Sequence, residues 1–459
     1  MGIYGALSSA VSGLRAQAHA LENISGNIAN SQTTAYKRIE TDFLDLIPDA
    51  PLNRQIPGAV QAQSRSTNDI KGDIKSVSTG TYIALNSNGF FVVEPKVGQS
   101  DGNAVFAGTN FYTRRGDFEI DKDGRLVNGA GYYLKGLPID TRTGNISGSV
   151  PEVIQLSNAF LPAQLSSRIN YQGNLPQVPK TTAYNPTVPG SELLDAGDYA
   201  GGTTGTPLNQ IEAGDNALFL TNTIEGGSIT VFAENGAPAV VQMRWAKVDS
   251  QANGGTDTWH LYYVSDSNAT GTDAMWTRVD TEFTFGPDGS MTAPTGTSID
   301  IANLTVNGVQ VGDVEFNFGA KGISQFADVN GTARVTTLNQ NGYGAGEFVS
   351  VAIADNGRVV ATYSNGMRID MAQVVTAEFN AANQLKRHDG GVYSATAESG
   401  EPITDVSGGG ILGGSLEASN TDISEEFTKL IVTQQAYAAG TRIVSAADQM
   451  LQESLNMIR

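Results

Sequence analysis

At 459 residues the chain exceeds what a single hydrophobic core supports, so several domains are expected. Acidic residues (47) outnumber basic ones (28), and the formal charge of −19 disfavours nucleic acid and anionic membranes as partners. There is no cysteine, which excludes disulfides and thiol chemistry and makes a structural zinc site unexpected.

The first predicted element is a helix of about 25 residues. Leu7, Leu14, Leu21 and Ile28 recur at heptad spacing, with Tyr4, Val11, Ala18 and Ser25 at the complementary seam positions. The start, Met1-Gly2-Ile3-Tyr4-Gly5-Ala6-Leu7, lacks the basic residues and continuous apolar run of a cleaved signal peptide, so any export is expected to use another route. No segment reaches the ~18 apolar residues of a membrane span, and no membrane insertion is expected.

The middle reads as β structure. Val241, Met243 and Trp245 alternate along one strand, Trp259, Leu261 and Tyr263 along a second, and Val279, Thr281, Phe283 and Phe285 along a third. Three strand–turn–strand units carry Asp/Asn-Gly turns, at Asp123-Gly124, Asp288-Gly289 and Asn356-Gly357. The stretch from Pro176 to Pro207 reads as a connector or long surface loop, and Gly408-Gly409-Gly410 with Gly413-Gly414 as a flexible segment.

A second heptad helix closes the chain. Ile423, Leu430, Tyr437, Val444, Leu451 and Ile458 form an unbroken series, with Phe427, Gln434, Thr441, Asp448 and Leu455 as a half-polar second seam. Asn420-Thr421-Asp422 supplies an N-cap, and Glu425 and Glu426 suit the positive end of the helix dipole. Two heptad helices with polar seam positions are marginal as an isolated pair, so further neighbours supplied by assembly are expected. The fold class is thus mixed and mainly β, with nested β domains inserted between N- and C-terminal coiled-coil-like α-helices.

No catalytic, metal or cofactor site is expected. Asp121-Lys122-Asp123-Gly124 lacks the later ligands of a calcium loop and reads as a turn. His19, His260 and His388 show no ligand spacing, and Asn128-Gly129-Ala130-Gly131 is only a fragment of a dinucleotide fingerprint.

The segment Asn23-Ile24-Ser25-Gly26-Asn27-Ile28-Ala29-Asn30-Ser31-Gln32-Thr33-Thr34-Ala35-Tyr36-Lys37-Arg38 resembles the signature of the rod and hook family of flagellar axial proteins, in which N-N-I-A-N runs into T-T-G-[FY]-K. Gly26 stands where the family usually has Asn. Ala35 stands where it usually has Gly, so this turn is expected not to need φ > 0. Asn88-Gly89-Phe90-Phe91-Val92-Val93, Tyr112-Thr113-Arg114-Arg115-Gly116-Asp117-Phe118, and Leu416-Glu417-Ala418-Ser419-Asn420-Thr421-Asp422 with Gln434-Gln435-Ala436-Tyr437 extend the resemblance over both ends and about half the chain. Tyr363-Ser364-Asn365-Gly366 and the long insertion point to the hook branch.

The resemblance implies a self-assembling tube subunit acting as a universal joint. Residues 1–30 with 421–459 would be a terminal helical inner domain and 31–75 with 396–420 a connecting segment. Residues 76–160 with 343–395 would be a first β domain, and 161–342 an outer inserted β domain. The expected assembly interface is Leu7, Val11, Leu14, Leu21, Ile28, Asn27, Asn30, Thr34, Tyr36, Lys37, Ile423, Phe427, Leu430, Tyr437, Val444, Leu451 and Ile458. Implied partners are copies of itself, a distal rod protein, a hook cap protein, a hook–filament junction protein and the flagellar type III export apparatus. The implied location is extracellular, in the hook. A distal rod protein and a junction protein are the neighbouring alternatives. From another class, an acidic carbohydrate-binding adhesin would need an aromatic site, for which Trp245, Trp259 and Trp276 are the tryptophan candidates, though core positions suit them better.

Overall fold

The computed structural model describes residues 3–46, 59–100, 103–141, 143–157, 159–320 and 322–457, without the side chains of residues 3, 4, 103 and 454–457. Ile458, Tyr4 and Leu455 of the heptad series therefore fall outside the described residues or side chains. Helices α1 (Ile3–Ala29), α2 (Asn216–Thr221) and α3 (Ile423–Met457) bracket and interrupt a chain that is otherwise mostly strand, the mainly-β class with terminal helices that the sequence suggests. Two compact units result, one of Met1–Asn158, Val349–Thr362 and Arg368–Arg459, the other of Ala159–Phe348 and Tyr363–Met367.

In the first unit α1 packs on α3 and on a hairpin of β1 (Ile39–Leu46) and β2 (Ala59–Ser66). Beyond them lies a curled sheet. Its spine runs Arg368–Val374, Tyr132–Pro138, Phe90–Ser100, Phe111–Thr113, Val392–Ser394, Lys386–His388. Phe90, Tyr112, Phe379 and Tyr393 interlock edge-to-face in its core, with centroids 4.7–6.1 Å apart. Two short pairings, Ile74–Ser76 with Ser415–Glu417 and Ile83–Leu85 with Ile411–Gly413, tie the outgoing chain to the returning one.

The glycine run read as flexible is part of this ladder. A Cβ at Gly408 would meet the Asn356 carbonyl oxygen at 1.9 Å, and one at Gly413 the Ile353 carbonyl oxygen at 2.1 Å. These glycines allow backbone to lie on backbone, so they are a requirement of packing and not a hinge.

The second unit is a pair of sheets over a shared core. Strands Pro238–Asp249, Asp257–Val264 and Ala274–Phe285 bring Trp245 opposite Leu261, Met243 opposite Tyr263 and Trp259 opposite Phe283. These side chains share a core with Tyr171, Leu304, Val314 and Phe316 of the other sheet. All three Asp/Asn-Gly turns form, with Gly124, Gly289 and Gly357 at positive φ. The tryptophans are buried, with Trp245 donating to the Tyr171 hydroxyl at 2.9 Å and Trp276 to Asn216 Oδ1 at 2.8 Å. An aromatic sugar platform built on them is therefore ruled out. The 176–207 stretch also departs from expectation, because Leu194 and Tyr199 pack with Phe219, Tyr262 and Trp276 in a second core. It is a packed strap, irregular because its prolines and glycines pair with no ladder.

Candidate assembly site

Both terminal helices form, but the seam between them is displaced from the positions read. Helices α1 and α3 run antiparallel, since Asn27 meets Glu426 and Leu14 meets Gly440. On α3 the covered stripe is Glu426, Thr433, Gly440 and Ala447, flanked by half-buried Leu430, Val444 and Leu451. Phe427, Gln434, Thr441 and Asp448, expected in the second seam, are exposed. The seam shifts by one residue because small side chains let the helices close. A Cβ on Gly440 would lie 2.9 Å from Leu14 Cδ2. On α1 the buried stripe is Ala16, Ala20, Ile24 and Asn27. Leu7, Leu14, Leu21 and Ile28 are half-covered, whereas Val11, Ala18 and Ser25 face outward.

This arrangement leaves α3 with an apolar surface that its own chain does not cover. Phe427 is 49 % exposed, Ile431 54 %, Val432 61 % and Ile443 52 %, and Ile423 and Tyr437 are exposed beside them. Burial of each remaining half is worth ~1 kcal/mol, half the full-side-chain value. Exposed apolar side chains on two sides of one helix mark it as a candidate interaction surface. Asp422 caps the helix start, its Oδ1 accepting from Ser424 N at 2.8 Å and Glu425 N at 3.3 Å.

Below the seam, residues of the motifs at 23–38, 112–118 and 416–422 converge. Asn27 of the first motif donates to Glu426 Oε2 at 3.0 Å and to the Ile39 carbonyl at 2.9 Å. Its Oδ1 accepts from Ile39 N at 2.9 Å and from the Tyr36 hydroxyl at 3.2 Å. The Arg387 guanidinium lies 4.6 Å over the Tyr36 ring. Lys37, buried, donates to Glu417 Oε1 and to the Ile70 carbonyl, both at 2.6 Å. Arg114 reaches the same carboxylate at 3.4 Å and donates to the Ser87 and Leu85 carbonyls at 2.7 and 3.2 Å. Asn420 Oδ1 accepts from Arg38 N at 2.7 Å.

Desolvation is the leading influence on Lys37 and Arg114 and holds both below their ordinary values, opposed chiefly by Glu417. Two cations thus share one buried carboxylate, an arrangement that is costly unless every hydrogen bond is made. The side chains of Asn27, Tyr36 and Lys37, expected at the interface between copies, are spent on partners within their own chain. Asn30 likewise donates to the Gly26 carbonyl at 2.9 Å, and Thr34 is half-buried.

The turn expectation at Ala35 is overturned. Ala35 takes φ +53°, the left-handed region, and donates its N–H to the Glu417 carbonyl at 2.9 Å. The conformation is demanded by the junction whichever residue occupies it, and alanine bears the steric cost. Sequence reasoning named Arg114 and Glu417 only as motif letters. Neither stands in a local sequence that marks it as the other's partner.

Three family descriptions match successive stretches of the chain: "Flagellar hook protein FlgE/F/G D1 domain" at 84–174, "Flagellar basal body protein FlaE D2 domain" at 205–343 and "Flagellar basal body rod FlgEFG protein C-terminal" at 412–457. The flagellar hook protein FlgE of Brucella suis is 28% identical, with 100% of each chain covered. That of Salmonella typhimurium is 27% identical over 98% of this chain and 99% of its own. The Helicobacter pylori hook protein FlgE2 superposes with a TM-score of 0.48 at 15% identity, covering 76% of this chain and 99% of that one. With three flagellar matches in chain order and hook proteins aligned from end to end, the chain belongs to the flagellar hook protein family.

Proposed function

We propose that the chain is the repeating structural subunit of the flagellar hook, polymerising with copies of itself through the uncovered faces of α1 and α3. The observation that carries this is that Phe427 and Ile431 on one side of α3, and Val432 and Ile443 on another, are exposed on a helix whose covered stripe is Glu426, Thr433, Gly440 and Ala447. A heterologous contact between identical subunits generates a helical tube when the rotation does not close. Its role is structural, without catalysis. In this reading residues 1–30 with 421–459 form the inner domain and 31–75 with 396–420 the connecting segment. Residues 76–160 with 343–395 and 161–342 form the two β domains. Leu7, Leu14, Leu21, Ile28, Leu430, Val444 and Leu451, half-covered in one chain, complete their burial between copies. Asn27, Tyr36 and Lys37 set the angle at which the helical pair leaves the β sheet. The distal rod, hook cap and junction proteins would meet the ends of the polymer, and the flagellar type III apparatus would export the chain to the hook.

The test replaces Ile431 and Val432 together by Asp. Both are exposed, so monomer stability should stay within ~0.5 kcal/mol of the parent. Polymer should be absent by electron microscopy, because each copy would carry charges into an apolar interface. Normal hooks built from this variant would refute the reading.

A further inference from the structure

The six-stranded sheet of the second unit carries, on the face away from the shared core, Ala246, Tyr262 and Trp276. Residues of the strap and α2 pack on this face, and a cavity of about 780 Å³ is lined by strap and sheet residues together. Asp195 and Asp198 of the strap line it, opposite Asp249, His260 and Glu282 of the sheet, and no lysine or arginine does. The nearby Arg278 is held by Asp280 at 3.1 Å.

His260 is 3% exposed, and its Nδ1 has no partner in the chain. Burial, with the Arg278 charge second, holds the imidazole below its ordinary value and so neutral. Its Nε2 faces Glu282 Oε1 at 3.4 Å, so the ring proton belongs there and Nδ1 keeps a lone pair. Asp195 accepts from Gly197 N at 2.8 Å, and Asp249 from Ser250 N at 2.8 Å and Thr256 N at 2.9 Å. Those bonds orient the carboxylates and leave them lone pairs to spare. The charged and imidazole groups of the lining therefore offer acceptors and negative charge, while Leu193, Leu208, Leu218 and Val248 add an aliphatic wall. Among the described residues no group of His, Asp and Glu has the geometry to hold a metal ion.

We propose that this cavity binds a primary aliphatic ammonium group, that of a free diamine or of a lysine side chain from a second copy of the chain. The proposal stands independently of the assembly reading, because the unassembled chain is what is titrated. Calorimetric titration of the full chain with 1,5-diaminopentane should show saturable binding. 1,5-Pentanediol, equal in length but uncharged, should not bind over the same concentrations. Asp198→Asn with Glu282→Gln, both at exposed positions, should weaken diamine binding at least tenfold without moving the melting curve. Diamine binding retained by the polymer assigns the site to a free amine. Binding present in the monomer and lost in the polymer assigns it to a neighbouring lysine. No saturable binding to the monomer, equal binding of the diol, or undiminished binding by the double variant would overturn the proposal.

Discussion

Replacing Glu417 by Gln removes the one carboxylate shared by Lys37 and Arg114 while keeping the side chain's shape. Glu417 Oε1 accepts from Lys37 Nζ at 2.6 Å and Gly72 N at 2.8 Å, and Oε2 from Arg114 at 3.4 Å, all out of water. The variant leaves two buried cations without the carboxylate that pairs them, a break worth ~3–5 kcal/mol. At ~2–4 °C per kcal/mol for a domain of 150–250 residues, melting of the first unit should fall by about 6–20 °C. Scanning calorimetry reads this directly, and the second unit's transition serves as an internal reference. Adding Lys37→Met to Glu417→Gln should recover part of the loss, because one stranded charge then disappears.

The pH dependence has a definite sign. Lys37 already sits below the ordinary lysine value of 10.5, so across the window beneath that value the unfolded chain binds more protons and stability rises with pH. Glu417 is the largest influence holding the Lys37 pKa up, so Glu417→Gln extends the window downward and its deficit should shrink as the solution is made alkaline. A Glu417→Gln protein within ~1 kcal/mol of the parent, or one whose deficit grows with pH, would refute the reasoning.

Ala35→Gly should stabilise the first unit by ~0.5–1 kcal/mol in urea unfolding, since glycine takes φ +53° without the strain that alanine carries. Deleting residues 166–340 with a short Gly-Ser join should leave tube formation intact and alter hook curvature, measured by electron microscopy. The join is feasible because Ser166 Oγ donates to Gln340 Oε1 at 2.7 Å, so the cut ends already lie side by side.

Periodicity carried a large part of the architecture. Strand alternation placed Met243, Trp245 and Leu261 in one core, and heptad spacing located both terminal helices. It misplaced the α3 seam because apolar scoring favours Phe427 over Glu426 and Thr433. The helices instead meet where side chains are small, at Gly440 and Ala447, or hydrogen-bonded, at Glu426. The glycines at 408–414 read as slack because close backbone approach leaves no local trace beyond the glycine itself. The Lys37–Glu417–Arg114 cluster was invisible for a different reason. Its members stand 380 and 303 positions apart, and no local pattern links charges across such a span.

That separation has a consequence for the life of the chain. The helical pair and the charge cluster both need residues beyond 410, so a chain truncated before that point can close neither. Contacts so distant in sequence are the last to be rewarded as a polypeptide orders, since the loop between them must be closed first. In the proposed assembly, a chain cut before residue 410 therefore has no α3 face to offer a neighbouring copy. Such fragments, whether from interrupted synthesis or proteolysis, are expected to be left out of a growing tube.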